Sequence, residues 1–271
     1  MNMRNPHLNF VITALKATGA KLPKAITTAL EEQGRIVAAA REARTHTGGY
    51  ASLVKAWTSA VLDGRDPAED PNLLRALLNN ALADGDLEYA AGNAVNDRAV
   101  DNMRAVQDDI LNIFKTAFDA AGVTLKYAQS ILGNIDLDDT TAIFQLGPVA
   151  VQAHQDAQEA RRLTRLIDSG WTALNQLTGF TIEPERVTRW ADSDIDTWER
   201  VRRVKDAWQV VAAGCTLDLA IDRDTINARI ERIARERHER ETLDFRNAQA
   251  ARRAQGALVL DGIEKVKEAM R

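Results

Sequence analysis

Residues 222–270 read DRDTINARIERIARERHERETLDFRNAQAARRAQGALVLDGIEKVKEAM. At about 100° per residue, Ile226, Ile230, Ile233 and Ala234 share one side of a helix. Ala248, Ala251, Val259, Ile263, Val266, Ala269 and Met270 fall on that same side. Arg237, Glu241 and Asp244 interrupt the stripe for roughly two turns without shifting its phase. Continuity of phase predicts one long helix, or two nearly aligned across Gly256. The interruption predicts a middle outside any apolar core. Within 227–256 stand eight arginines and five acids, and Glu231–Arg235, Glu236–Arg240 and Arg237–Glu241 are spaced to support an exposed helix. Such a helix bridges, projects, or pairs with a partner through its charges.

The rest of the chain repeats this pattern. Val95, Ala99, Met103, Val106, Ile110, Ile113 and Ala117 recur at three- and four-residue steps. They form a narrow seam on a helix expected from about Asp86 to Ala121 and ended or bent at Gly122, with a shorter helix over Thr124–Leu132. Pro148 opens another long helix to about Leu177, with the stripe Val149, Ala153, Ala157, Ala160, Leu163, Ile167, Trp171 and Leu174. Shorter helices are expected over Pro6–Thr18, from Pro23 to about Arg44, over 52–62, from Pro71 with Asp70 as its cap, and over Thr140–Leu146. Ser193 or Asp194 opens one reaching Ala213. Only GFTIEP and CTLDLAI, about 179–184 and 215–221, carry extended character, and they form at most a two-stranded element. The fold class is therefore all-α: an elongated multi-helix bundle with a long C-terminal helix. Two regions, 1–147 and 148–271, are expected, or one continuous domain.

Composition agrees. The 271 residues are 45% hydrophobic and 27% charged, with aromatics at 5% and six prolines. Alanine-rich, proline-poor chains favour helices. The net charge of −4 argues against a uniformly basic nucleic-acid coat. Its distribution is uneven: residues 1–60 sum to +5 and 61–147 to −9. Opposite fields of this kind allow head-to-tail contacts between copies, or simply reflect solvated helix faces. Cys215 stands alone, so no disulfide framework or cysteine-rich zinc site is expected. No run has the length of a membrane span and the N-terminus lacks a convincing signal peptide, so a soluble cytoplasmic or particle-associated protein is expected.

Catalytic motifs do not emerge. DSDID (192–196) and IDLDD (135–139) lack the glycine and glutamate of a calcium loop, and helix starts account for their aspartates. His7, His46, His154 and His238 are scattered, GAKLPKA is not a phosphate loop, and no GxSxG elbow is present. No cofactor, metal or small-molecule substrate is inferred. Three functional classes stay open. The first is a non-enzymatic structural or assembly protein acting through helix–helix contacts, self-associating or part of a larger particle; the Ala/Arg-rich composition has the flavour of a phage virion or head-assembly component. Its candidate partner interface is Ile226, Ile230, Ile233, Arg237, Glu241, Val95, Met103 and Val106. The second is a nucleic-acid-binding or regulatory protein using basic residues of 1–60 or 229–253, with Arg229, Arg232, Arg235 and Arg240 as contacts. The third is an all-α enzyme whose site is assembled from distant residues.

Overall fold

The computed structural model describes residues 5–46, 49–83, 86–179, 185–204 and 206–269. Among them are twelve helices: α1 (Pro6–Ala17), α2 (Lys24–His46), α3 (Gly49–Leu62), α4 (Pro71–Ala83), α5 (Asp86–Ala105), α6 (Gln107–Leu132), α7 (Thr140–Gln145), α8 (Pro148–Thr178), α9 (Arg186–Trp190), α10 (Ile195–Val201), α11 (Ala207–Ala212) and α12 (Arg223–Ala269). The chain is all-α, with one isolated antiparallel bridge, Ala191 to Leu217, among the described residues.

Polar side chains set many of the starts. Asn5 accepts from the His7 amide at 2.9 Å ahead of Pro6. Asp70 accepts from Asn72 and Leu73 at 2.8 and 3.0 Å, with Pro71 at the first helical position. Asp139, Asp194, Asp206 and Asp222 cap α7, α10, α11 and α12 in the same way. Each satisfies amides that the helix itself leaves unpaired. Gly19, at φ 68°, takes the left-handed conformation that closes α1.

The chain divides into two compact units. The first comprises residues 1–117 and 162–181, the second 118–161 and 182–271. The turn at 147–148 lies within the second. Two of the three crossings fall inside helices, in α6 and α8, and the third, at 181–182, lies outside the described residues.

In the first unit α2 packs on α5, and α3 packs chiefly on α4. Leu8, Val11 and Leu15 of α1 are buried, as are Ile110 and Phe114 of α6 and Ile167, Trp171 and Leu174 of α8. Gly170 marks a close approach. A Cβ built there would lie 2.4 Å from the Cβ of Ala14 and 2.9 Å from the ring of Phe114.

In the second unit Phe118 and Trp190 meet at 6.0 Å between ring centroids. Leu125, Leu137, Ile143, Val187, Val210 and Leu219 are buried. The extended stretch 215–220 lies against α6 and the end of α9. Asp218 and Ala220 donate to the carbonyls of Trp190 and Arg189 at 2.8 Å, and Leu219 donates to the Asp119 carboxylate at 3.0 Å.

Four sequence expectations are corrected. The helix expected over 86–121 is interrupted at Val106, whose carbonyl accepts from Ile110 and so opens a new helix. Asp108 and Asp109 in that first turn oppose the positive dipole end and favour a start there. Gly122 does not end this second helix. It lies inside α6, where a Cβ would come within 2.8 Å of the Leu217 Cβ, so the glycine serves close approach. The helix expected over 193–213 is two short ones, because Asp206 adopts an extended conformation and caps α11. Leu217 forms an isolated antiparallel bridge with Ala191, and 180–184 of the other extended stretch lie outside the described residues. Val149 is exposed, so the stripe of α8 begins at Ala150.

Gly170→Ala ordinarily stabilises a helix by about 1 kcal/mol. Here the added methyl meets an alanine Cβ that moves only with its backbone. Urea unfolding of this variant is expected to show a net loss of about 1–3 kcal/mol.

Candidate interaction surfaces

The opening half of α12 is fastened to α9, α10 and the 215–220 stretch by arginines. Arg229 is only 5% exposed. Its guanidinium donates to the carbonyls of Thr188, Arg189 and Asp218 at 3.1, 3.3 and 3.0 Å, and to the Asp218 carboxylate at 2.5 Å. Arg232 donates to the Ser193 carbonyl at 2.6 Å and pairs with Asp192 at 2.5 Å. Glu236 accepts from the Ile195 amide at 2.7 Å, at the amino end of α10 where a carboxylate is favoured. Arg240 pairs with Asp196 and Glu199 of α10. Arg237 lies over the Trp198 ring at 5.2 Å, a cation–π contact.

The residues singled out in sequence therefore separate. Ile226 and Ile233 are buried against the unit's own core, Ile230 is 40% exposed, and Glu241 is exposed. Val95 and Met103 are buried, while Val106 is half-buried at the helix interruption. Of the four arginines read as nucleic-acid contacts, Arg229, Arg232 and Arg240 are engaged within the fold, and Arg235 is exposed. Of the three residues that interrupt the stripe, Arg237 meets α10 at Trp198, whereas Glu241 and Asp244 are exposed. From Leu243 onward, every described side chain of α12 is exposed, including Phe245, Arg246, Arg252 and Arg253.

A second surface escaped the sequence reading. On α3, Tyr50, Val54, Trp57 and Val61 are exposed, Tyr50 at 73% and Trp57 at 53%. Their spacing places them within an arc of roughly 60° on one face. Leu62 and, on α4, Leu74, Leu77 and Leu78 are exposed as well. The 4-3-4 spacing was available in the sequence. What was missing was which apolar stripes the chain covers itself.

A cleft of about 520 Å³ in the second unit is lined by Asn134, Asp136, Asp138, Arg161, Arg200 and Asp206 among others. Arg161 donates to Asp138 at 2.8 Å and to Asp206. Burial opposes the guanidinium charge, but these two carboxylates outweigh it and raise its pKa. Asp138 and Asp206 thereby serve as counter-ions. No group of three His, Cys, Asp or Glu suited to a metal ion occurs among the described residues. Likewise, no described helix is long and apolar enough to cross a membrane. No family model matches the chain, and no curated protein or solved structure is significantly similar to it.

Arg229→Ala strips donors from three carbonyls at once and is expected to cost about 2–4 kcal/mol in urea unfolding. Arg235→Ala is expected to stay within about 0.5 kcal/mol of the parent.

The Arg240 hydrogen bond holds the Glu199 carboxyl below its usual range. Its contribution is therefore complete above the unfolded glutamate pKa of about 4.3 and lost as pH falls through the lower folded value. Urea midpoints measured from pH 6 to pH 3 should fall less for Glu199→Gln than for the parent.

Proposed function

We propose that this chain is a non-enzymatic structural or assembly protein that works through helix–helix contacts with other protein. The observation that carries this reading is the apolar face of α3, flanked by the exposed leucines of α4. Contiguous water-facing apolar patches mark sites of interaction with protein, membrane or ligand, and a stripe along one helix suits a partner helix. The face is built on a helix rather than a loop, so a partner meets a preformed surface.

The exposed side chains of α12 from Leu243 to Arg253 add a second helical surface. Nucleic-acid binding is less well supported, since three of its four candidate arginines are spent on internal carbonyls and carboxylates. The Arg161-centred cleft has its charge balanced by aspartates, which favours a structural role for those groups. The narrower reading, a phage virion or head-assembly component, has its support in the Ala/Arg-rich composition.

Light scattering coupled to size exclusion tests the proposal. A mass above the 29.9 kDa of one chain is expected at high protein concentration, or a protein partner retained from the native extract by the parent but not by a Trp57→Glu variant. A strict monomer with no such partner would overturn it.

A further inference from the structure

We propose that the occupant of the α3 face is a second copy of this chain, bound by antiparallel pairing of α3 with α3 about a two-fold axis. This rests on the assembly reading above and names the partner.

Four features of the face support it. The first is order. Tyr50, Val54, Trp57 and Val61 alternate large and small along the helix. When two such helices run antiparallel with the axis between Val54 and Trp57, Trp57 of each copy faces Val54 of the other, and Tyr50 faces Val61. Every layer then pairs an aromatic ring with a valine, the arrangement that interdigitates without voids. Parallel pairing would set Trp57 on Trp57 and Val54 on Val54, crowding one layer and leaving the next empty.

The second feature is charge. α3 carries a single charged residue, Lys55, which lies about 130° round the axis from the centre of the face. An uncharged face meets its own copy without like-charge repulsion, and it offers no ionic pattern to select a different partner. The third is area. On α4, against which α3 packs, Leu74, Leu77 and Leu78 are exposed as well and extend the apolar surface toward the roughly 800 Å² that each partner contributes to an interface of standard size. The fourth is position. α3 packs chiefly on α4 within its unit, and that packing leaves Tyr50, Val54, Trp57 and Val61 exposed. Two-fold pairing of one patch with itself is also the commonest form of closed oligomer.

The test uses the full chain. The native thiol, Cys215, is buried, and that burial, with Asp194 nearby, pushes its pKa up, leaving it slow to react. Tyr50→Cys and Val61→Cys are each treated with a short bismaleimide, alone and as an equimolar mixture. Antiparallel pairing places position 50 opposite position 61 of the other copy, whereas like positions lie about 16 Å apart along the axis. The mixture should give a covalent dimer, and each variant alone should give little. Separately, Trp57→Glu should reduce the mass seen by light scattering to one chain, with the helical circular dichroism signal unchanged. Cross-linking of either variant with itself, as strong as in the mixture, would overturn the antiparallel arrangement. If Trp57→Glu still abolished association in that case, the assembly reading would stand without it. Association that Trp57→Glu leaves intact, or a parent monomeric at every concentration, would remove the α3 pairing altogether.

Discussion

Taking a guanidinium out of water costs several kcal/mol unless its donors are satisfied. Arg229 meets that condition by drawing two separate pieces of backbone around one side chain. Its planar fork reaches the carbonyls of Thr188 and Arg189, which α9 leaves without an intrahelical partner, and that of Asp218 in the extended stretch. The same hydrogen bonds that solvate the cation thus fix where α12 begins relative to α9 and to residues 215–220. Ile226 and Ile233, one turn to either side, are buried as a result. The second unit's core, from Trp190 and Phe118 to Leu219, closes around that fixed point.

Much of this was legible because helices advertise themselves through period and caps. Pro6, Pro71 and Pro148 open helices as their fixed geometry requires, and Asp70, Asp139 and Asp194 cap α4, α7 and α10. The long α12 followed from the phase of its apolar positions. The errors share one cause, which is that local pattern does not reveal what lies opposite. Gly122 reads as a helix breaker until Leu217 is seen against it. Asp206 falls inside the helix expected to reach Ala213 until its partnership with Arg161 and the Trp208 amide places it at a start.

The surfaces were less legible than the fold, for a related reason. An apolar seam in sequence reports only that something covers it. Val95 and Met103 are covered by the chain itself, while Tyr50, Val54, Trp57 and Val61 are not, though both sets share the same three- and four-residue rhythm. Arginine-rich sequence is ambiguous in the same sense. Arg229, Arg232 and Arg240 would suit phosphates by type, yet their partners are carbonyls and carboxylates of their own unit.

Because the first unit is assembled from 1–117 and 162–181, synthesis imposes an order on its completion. Trp171 and Leu174, which help fill its core, are translated after the whole 118–161 segment. During that interval the nascent amino-terminal half lacks one wall and exposes Phe114 and Leu15 to solvent or to a chaperone. A ribosome pausing between codons 118 and 170 would prolong that vulnerable state, whereas one pausing after residue 181 has cleared the exit tunnel would not.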